Sequence, residues 1–281
     1  MKIVKVFPDS LGEAIGVHPG DRLLKINGKR VQDEIDYQFR ITEELLTLEL
    51  EISGQPETVE IEKEYDDDLG VEFEEMKIRS CANDCVFCFV DQNPSGMRSG
   101  MYFRDGDYRM SYLHGHYITM TNMGKNELNR VVEQRLSPLY ISVHITDEQQ
   151  RQKLFLYKKD DGLLEKLKFL TKNGIELHTQ IVLMPNLNDG EYLLQTLSDL
   201  YQYYPTLKSC TIVPVGLTGH RKGLMDIQSV NSQYAKIMLQ NSHALREKYP
   251  GKDAPFVLYS DKLGVILFPF ILILSIDHSI C

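Results

Sequence analysis

The chain has 281 residues, 42% of them hydrophobic and 25% charged, a composition typical of a globular protein with one large or two smaller domains. Its net charge of −9, from 40 acidic and 31 basic residues, argues against a broad nucleic-acid-binding surface. The first residues lack the apolar segment and small-residue cleavage site of a signal peptide, so a cytoplasmic location is predicted.

The first 75 residues are predicted to form a small, mainly β domain. An Asn-Gly dipeptide at 27–28, which follows an apolar run, is typical of a hairpin turn. An acidic segment at 62–68 is predicted to lead out of the domain. The predicted elements are strands at 3–6, 46–52 and 57–61, a helix at 10–16, and a turn, a strand and a second turn across 19–28.

From residue 76 onward the pattern changes to strands that alternate with helices. Repeated βα units predict a parallel sheet covered by helices, with functional loops after the carboxyl ends of the strands. The predicted strands are 76–79, 117–121, 139–145, 175–184, 209–215 and 255–260, and the predicted helices are 125–136, 147–157, 163–172, 191–204 and 232–248.

Three of the five cysteines lie within eight residues, in Cys81-Ala-Asn-Asp-Cys85-Val-Phe-Cys88. Three thiolates can hold three irons of a [4Fe–4S] cluster and leave the fourth iron open to a small molecule. The alternatives are a structural zinc site, although zinc knuckles usually pair two such halves, and a set of inert buried thiols. Cys210 begins a predicted strand and is interpreted as a small buried hydrophobic residue.

Several motifs give the chain a resemblance to known families. The pattern Cys-x3-Cys-x-aromatic-Cys, with Phe87 as its aromatic residue, resembles the cysteine loop of radical S-adenosylmethionine (radical SAM) enzymes. The spacing of Gly16, Pro19-Gly20-Asp21 and Ile26-Asn27-Gly28 resembles a PDZ domain. With further motifs at 87–92, 107–109, 117–122 and 181–190, residues from about 1 to 261 resemble the bacterial DUF512 family, which joins both domains.

This resemblance implies a fold and a pair of cofactors. The implied fold is α/β, a partial (β/α)6 barrel of radical SAM type at 76–261, preceded by the PDZ-like domain at 1–75. Cys81, Cys85 and Cys88 would bind a [4Fe–4S] cluster, and S-adenosyl-L-methionine would chelate its open iron. Phe87 would lie beside the adenine. Asn122, in Thr121-Asn122-Met123 where family members have a Gly-Gly-Glu-like motif, would accept a hydrogen bond from the cofactor's amino group.

Polar residues on two predicted strands extend the candidate site. Side chains alternate along a strand, so Ser142 and His144 are predicted to share one face, as are His178 and Gln180. Such residues fit a barrel interior that binds S-adenosylmethionine and substrate, and they also fit a core of satisfied polar groups.

Two loops complete the set of candidate functional segments. Residues 91–116 contain several arginines and tyrosines and are interpreted either as a lid or binding element or as a solvated loop. Asn188-Asp189-Gly190 is predicted to form a turn and the N-cap of the helix that follows.

The end of the chain differs in character from the rest. Residues 263–276 form an uncharged run that is shorter than the roughly 20 residues of a membrane-spanning helix, and Pro269 interrupts it. Residues 262–281 are therefore expected to be an aberrant apolar tail on a C-terminally truncated family member, and to reduce solubility.

The resemblance implies an enzyme that reductively cleaves S-adenosylmethionine to a 5′-deoxyadenosyl radical, which acts on an unknown substrate. It also implies an external electron donor of flavodoxin or ferredoxin type. The alternative is a non-catalytic iron–sulfur or docking protein with a protein partner on its PDZ-like domain. The loop by which PDZ domains bind a peptide's carboxylate would precede residue 1, so packing or docking is expected of this domain. No membrane is predicted as a partner, and nucleic acid is not indicated.

Overall fold

The computed structural model describes residues 1–267. Contacts divide the chain into two compact units, Met1–Lys77 and a second that begins at Ile78. The first is a small β unit and the second a mixed α/β unit with a parallel sheet, so the predicted mixed α/β class is confirmed.

The first unit contains an antiparallel sheet in the order β3-β2-β4-β5. Asn27 and Gly28 have φ of 49° and 72° in the turn between β2 and β3, the positive values that a tight hairpin turn requires. The elements of this unit are β1 Ile3–Val6, α1 Leu11–Ala14, β2 Arg22–Ile26, β3 Lys29–Arg30, α2 Glu34–Arg40, β4 Leu45–Ile52, β5 Gln55–Glu62 and β6 Val71–Phe73.

The sequence predicted that the acidic segment 62–68 leads out of the first domain. In the structure the chain stays in the first unit after this segment. Leu69 is only 2% exposed and belongs to the hydrophobic core of this unit. The next residues form β6, which pairs antiparallel with β1. The negative charges indicated an exit, but the apolar residues that follow them bring the chain back to the core.

The second unit contains a parallel sheet in the order β10-β9-β8-β7. Its strands are β7 Leu139–Ser142, β8 Leu177–Leu183, β9 Leu207–Pro214 and β10 Val257–Tyr259. Its helices are α3 Tyr108–His114, α4 Lys125–Glu133, α5 Glu148–Phe155, α6 Leu163–Lys172, α7 Gly190–Tyr201, α8 Ser232–Gln240, α9 Ser242–Lys248 and α10 Asp261–Leu267, with 3₁₀ helices at Val90–Gln92 and Ser99–Tyr102.

Two of the six predicted strands of this unit are not strands. Residues 76–79 precede a single antiparallel bridge from Ser80 to Asp105. Residues 117–121 contribute one parallel bridge, from Ile118 to Ile141 beside β7. Met120 has a φ of 58°, which takes the backbone out of the extended conformation and ends the pairing there. The described sheet is therefore four strands wide, and the partial six-unit barrel stays a prediction.

The two faces of the parallel sheet differ in chemistry. Residues 177–183 alternate between buried and half-buried along β8. The buried face carries Ile141, Ile181 and Ile212, none of them measurably exposed. The other face carries His178 and Gln180 beside the polar residues of β7 and β9. One face thus forms the core, and the other offers an accessible polar surface.

The helix α10 begins where the apolar tail was predicted. Leu263 has no exposed surface and packs in a core cluster that includes Phe87 and Phe155. The first residues of the uncharged run are therefore part of the folded unit. The rest of the predicted tail, residues 268–281, lies outside the described residues. Within residues 1–267, no helix is long and apolar enough to cross a membrane.

We predict that Leu263→Ala lowers the free energy of unfolding by about 3 kcal/mol, because the truncation leaves a cavity in the core. The matched control Leu194→Ala, at a position that is 43% exposed, should cost less than about 1 kcal/mol. Urea unfolding followed by circular dichroism measures both. Equal effects at the two positions would show that α10 is not packed on the core.

Candidate metal centre

The segment that carries the three cysteines is fixed at its start by a neighbouring loop. Cys81 N–H donates to Arg104 O at 2.7 Å, and Gly106 N–H donates to Arg79 O at 3.2 Å. A Cβ at Gly106 would lie 2.5 Å from the Cα of Cys81. Only glycine permits this approach, so the position of the first cysteine depends on it.

The second cysteine is placed by the end of α5. The residues on either side of Cys85 donate backbone hydrogen bonds to this helix, from Asp84 N–H to Phe155 O at 3.1 Å and from Val86 N–H to Leu154 O at 2.9 Å. Burial raises the pKa of the Cys85 thiol, and the neighbouring cysteines raise it further. A positive charge such as a metal centre would stabilise the thiolate form of a group in this environment.

Backbone N–H groups point at the other two sulfurs. Asn83 N–H donates to Cys81 Sγ at 3.5 Å. Burial raises the pKa of the Cys88 thiol, and the N–H groups of Asp91 and Val90, which donate to its sulfur, act in the opposite direction. Hydrogen bonds of this kind stabilise metal-bound thiolates and tune the potential of iron–sulfur clusters.

The guanidinium of Arg104 holds the segment together from one side. Its Nε and Nη2 donate to Asp91 Oδ1 at 3.1 and 2.6 Å. Its Nη1 donates to Asn83 O and to Asp84 Oδ1, both at 3.0 Å. A single planar group thus spans the cysteine motif and the turn that follows it.

The side chain of Asn83 has an acceptor without a donor. It is 4% exposed, and its Nδ2 donates to Thr119 Oγ1 at 3.0 Å. Its Oδ1 is buried and has no hydrogen-bond partner among the described residues. A buried acceptor left unpaired costs about 1–3 kcal/mol, so a ligand that brings an N–H or O–H group to this position would be stabilised.

Phe87 packs edge-on against His144. The ring centroids are 4.8 Å apart and the planes are inclined by 76°. His144 Nδ1 accepts from Val182 N–H at 3.0 Å, which requires the proton on Nε2 because a backbone amide can only donate. Burial lowers the pKa of His144 to about 3, and the charge of Arg151 contributes. The ring is therefore neutral at physiological pH.

The prediction that Ser142 and His144 share a strand face is wrong. The strand β7 ends at Ser142, and His144 has a φ of 63°. This left-handed conformation is supported by Asn188, whose Nδ2 donates to His144 O at 2.9 Å and to Val182 O at 2.8 Å. His144 consequently packs behind Phe87 beyond the strand end, while Ser142 stays at the edge of the sheet.

His178 and Gln180 do share a face of β8, as predicted. His178 Nδ1 bonds with Ser209 Oγ at 2.8 Å, and its ring stacks on Tyr140 with centroids 5.2 Å apart. Gln180 is half-buried and lies between Ser142 and Thr211 in the strand register. These uncharged groups form the polar face of the sheet.

Asn122, predicted to face the cofactor's amino group, holds two loops together. Its Nδ2 donates to Ser80 O at 3.2 Å and to Gly106 O at 3.1 Å. Both acceptors flank the backbone of Cys81, so Asn122 helps to position the first cysteine.

Two buried side chains to which the sequence analysis assigned no role connect the cysteine segment to the sheet. Gln92 has no exposed surface, and its Nε2 lies 3.3–3.4 Å from the carbonyl oxygens of Phe87, Cys88 and Gly216. Its Oε1 accepts from Thr218 N–H at 3.1 Å. The cysteine segment is thereby joined to the loop that follows β9.

Arg151 makes the second connection. It is 4% exposed and forms a bidentate ion pair with Asp161, with N–O distances of 2.8–3.1 Å. Its other N–H groups donate to the carbonyl oxygens of Val143, Ile145 and Thr119. In sequence Arg151 stands among polar helix residues and gave no signal, because its partners all lie outside its own helix, from 6 to 32 residues away.

The segment 91–116 is less open than a lid. Asp107 has no exposed surface; burial alone would raise its pKa, but hydrogen bonds from Arg109 and from the backbone of Arg79 hold the pKa below its usual value. Tyr108 is 2% exposed. Several of the arginines and tyrosines of this segment therefore stabilise the loop and are not available to a ligand.

The structure also shows the surroundings of Asp189 and Cys210, for which the sequence predicted a helix N-cap and a buried position. Asp189 is the N-cap of α7 by backbone conformation, but its carboxylate accepts from Asn186 N–H and Tyr234 O–H and makes no capping bond. Cys210 is fully buried in β9, where burial raises the pKa of its thiol to about 12.

The contacts bring the cysteine segment to the carboxyl ends of the strands of the parallel sheet. Phe87 lies against His144, which follows the carboxyl end of β7, and Gln92 binds Gly216, which follows that of β9. Within residues 1–267, no three His, Cys, Asp or Glu side chains are arranged around one point as a single metal ion requires. A four-iron cube places its ligands on separate irons. Whether the cysteines fit such a cluster is therefore judged from the hydrogen-bond donors and the burial around each sulfur.

Two family models match the chain. A family model described as a radical SAM-like domain matches residues 63–210, more than half of the chain. The chain therefore belongs to the radical SAM-like family. A model for a PDZ domain matches residues 2–52, which confirms the predicted order of a PDZ domain followed by a radical SAM-like domain. No curated protein matches the chain.

We predict that Gly106→Ala reduces the iron content of reconstituted protein to less than half of wild type, because the added Cβ displaces Cys81. Gly100→Ala is the matched control, since a Cβ there meets nothing within 4 Å. Iron assays on folded protein measure the effect. Full iron content in Gly106→Ala would contradict the role of this contact.

We also predict that Asp161→Asn lowers the free energy of unfolding by about 3–5 kcal/mol, because it leaves the buried guanidinium without a counter-charge. The control Glu176→Gln breaks the half-exposed pair with Lys208 and should cost less than about 1 kcal/mol. Denaturant unfolding compares the two. Similar losses would refute the importance assigned to Arg151.

Proposed function

We propose that the chain is a radical SAM enzyme that binds a [4Fe–4S] cluster through Cys81, Cys85 and Cys88. The observation that carries the proposal is the location of this cysteine segment, against residues that follow the carboxyl ends of β7 and β9. Loops at this edge carry the chemistry in parallel α/β folds. The family match supports the same class of function.

The residues around the three sulfurs fit such a cluster. Backbone N–H donors near Cys81 and Cys88 stabilise thiolates, and the partial burial of Cys85 limits its contact with water. When bound, the cluster and S-adenosylmethionine supply a 5′-deoxyadenosyl radical by reductive cleavage of the sulfonium bond. The part of the protein is to hold and orient these groups and to exclude competing donors.

Three side chains are proposed to contact S-adenosylmethionine, and a fourth supports one of them. Phe87 offers an apolar ring beside the adenine, and His144 supports that ring from behind. The Oδ1 atoms of Asn83 and Asn122 are the proposed acceptors for the cofactor's ammonium; that of Asn83 is buried and lacks a partner among residues 1–267.

The polar face of the sheet is the proposed binding surface for the rest of the cofactor and the substrate. Ser142 and Gln180 lie on it at paired positions, with the stacked Tyr140 and His178 toward the amino ends of the strands. Burial lowers the pKa of His178, so this surface is uncharged near pH 7. It offers hydrogen bonds rather than ion pairs to a substrate.

The test of this proposal is reductive cleavage by anaerobically reconstituted protein. We expect about four irons and four sulfides per chain, and release of 5′-deoxyadenosine and methionine when S-adenosylmethionine and dithionite are added. Cys85→Ala should abolish both the colour and the products. The control Cys210→Ala, at a position buried in β9, should leave iron content unchanged.

The outcomes separate the proposal from its alternatives. Colourless protein with one tightly bound zinc would refute the cluster. A complete cluster that releases no 5′-deoxyadenosine with S-adenosylmethionine and dithionite would favour a non-catalytic iron–sulfur protein that docks through its PDZ domain. An external donor of flavodoxin or ferredoxin type is proposed to replace dithionite in the cell.

A further inference from the structure

The loop between β9 and α8 is bonded to the cysteine segment at two points. Thr218 N–H donates to Gln92 Oε1 at 3.1 Å, and Thr218 Oγ1 donates to Gln92 O at 2.8 Å. Arg221 Nη2 donates to Val86 O at 3.4 Å. Val86 lies between the second and third cysteines in the sequence. A charged side chain of this loop therefore reaches the backbone of the candidate metal centre.

The guanidinium of Arg221 has no counter-charge in the part of the chain that the structure describes. Its Nη2 also donates to Met225 O at 2.6 Å. Its Nη1 is buried and has no hydrogen-bond partner among residues 1–267. A buried donor without an acceptor is unfavourable, and a charged donor more so. A ligand that brings an anionic oxygen to Nη1 would therefore be stabilised there.

The two other guanidinium groups near the cysteines are already neutralised. Arg104 forms ion pairs with Asp84 and Asp91, at 3.0 and 2.6 Å. Arg151 is paired with Asp161 at 2.8 Å. The polar face of the sheet is uncharged near pH 7. Arg221 thus brings to the candidate site a positive charge that these neighbouring groups do not offer.

The loop around Arg221 is open and basic. A Cβ added at Gly219 or Gly223 would meet nothing within 4 Å. His220 and Lys222, on either side of Arg221, are exposed. The acid of this loop, Asp226, is exposed as well and forms no hydrogen bond or ion pair with Arg221. The surroundings leave room for an anion and favour its approach.

We propose that Arg221 binds a carboxylate or phosphate group of the substrate. This inference rests on the proposed function and names its substrate class, a molecule that carries an oxyanion. A guanidinium presents its N–H groups in a plane that matches both kinds of group. The carboxylate of S-adenosylmethionine is not assigned to Arg221, because that carboxylate is expected at the open iron of the cluster.

An oxyanion bound at Arg221 orients the substrate toward the candidate centre. The bond from Arg221 to Val86 places the anion beside the cysteine segment. A fixed charged end removes most of the orientations that a free substrate samples, so a C–H bond further along the molecule is held for reaction with the radical. The uncharged polar face then receives the remainder of the substrate through hydrogen bonds.

The experiment titrates the anaerobically reconstituted full chain with inorganic phosphate and, separately, with acetate. Isothermal titration calorimetry at low ionic strength measures both, because salt screens charges that are exposed to solvent. Arg221→Gln removes the guanidinium. Lys222→Gln is the matched control, since it removes the same charge from an exposed neighbouring position. Arg221→Lys keeps the charge but loses the planar set of donors.

We expect Arg221→Gln to raise the Kd of the preferred anion at least about tenfold, and Lys222→Gln to change it by less than about twofold. Arg221→Lys should give an intermediate Kd. Saturating S-adenosylmethionine should leave anion binding to wild type in place. The anion that wild type binds more tightly, phosphate or acetate, identifies which of the two groups the substrate carries.

Other results would overturn the proposal. Equal Kd values for wild type and an Arg221→Gln variant with the same circular dichroism would mean an adventitious ion only. No binding of either anion to wild type would also refute the site. Displacement of the anion by S-adenosylmethionine would assign Arg221 to the cofactor and not to a substrate. A missing cluster or missing cleavage in wild type would instead contradict the proposed function, and the anion titration measures neither.

Discussion

The candidate centre depends on one buried guanidinium. Arg151 donates to Thr119, Val143 and Ile145, three carbonyl oxygens from two separate stretches of backbone, and Asp161 balances its charge. These carbonyls lie where the chain leaves regular pairing at the sheet edge, so they need donors from elsewhere. The same helix supplies the carbonyls that fix the second cysteine. The cost of burying one ion pair is offset by satisfying a whole region of irregular backbone.

Features that depend on nearby residues were predictable from the sequence. The helix Leu163–Lys172 was predicted with its observed bounds, because its apolar period and its Asn-Gly end are local signals. The strand β8 and the cysteine spacing are equally local. Such patterns identified the domain order and the family, since both are encoded in short motifs.

Features that depend on distant contacts were not predictable. His144 continues a run that reads as strand, yet its left-handed φ is held by Asn188, 44 residues further on. Arg151 stands in a helix whose sequence reads as solvated, and only the folded chain brings its acceptors together. The acidic segment 62–68 indicated an exit from the first unit, but Leu69, which follows it, is 2% exposed in the core of that unit.

The amide of Gln92 has only two hydrogens for three carbonyl oxygens, at 3.4, 3.3 and 3.3 Å from its nitrogen. No single pairing uses all three acceptors at full strength, so several arrangements have similar energy. The amide can therefore exchange acceptors while it remains hydrogen-bonded. Small shifts between the cysteine segment and the loop after β9 cost little enthalpy, although neither side becomes exposed to water.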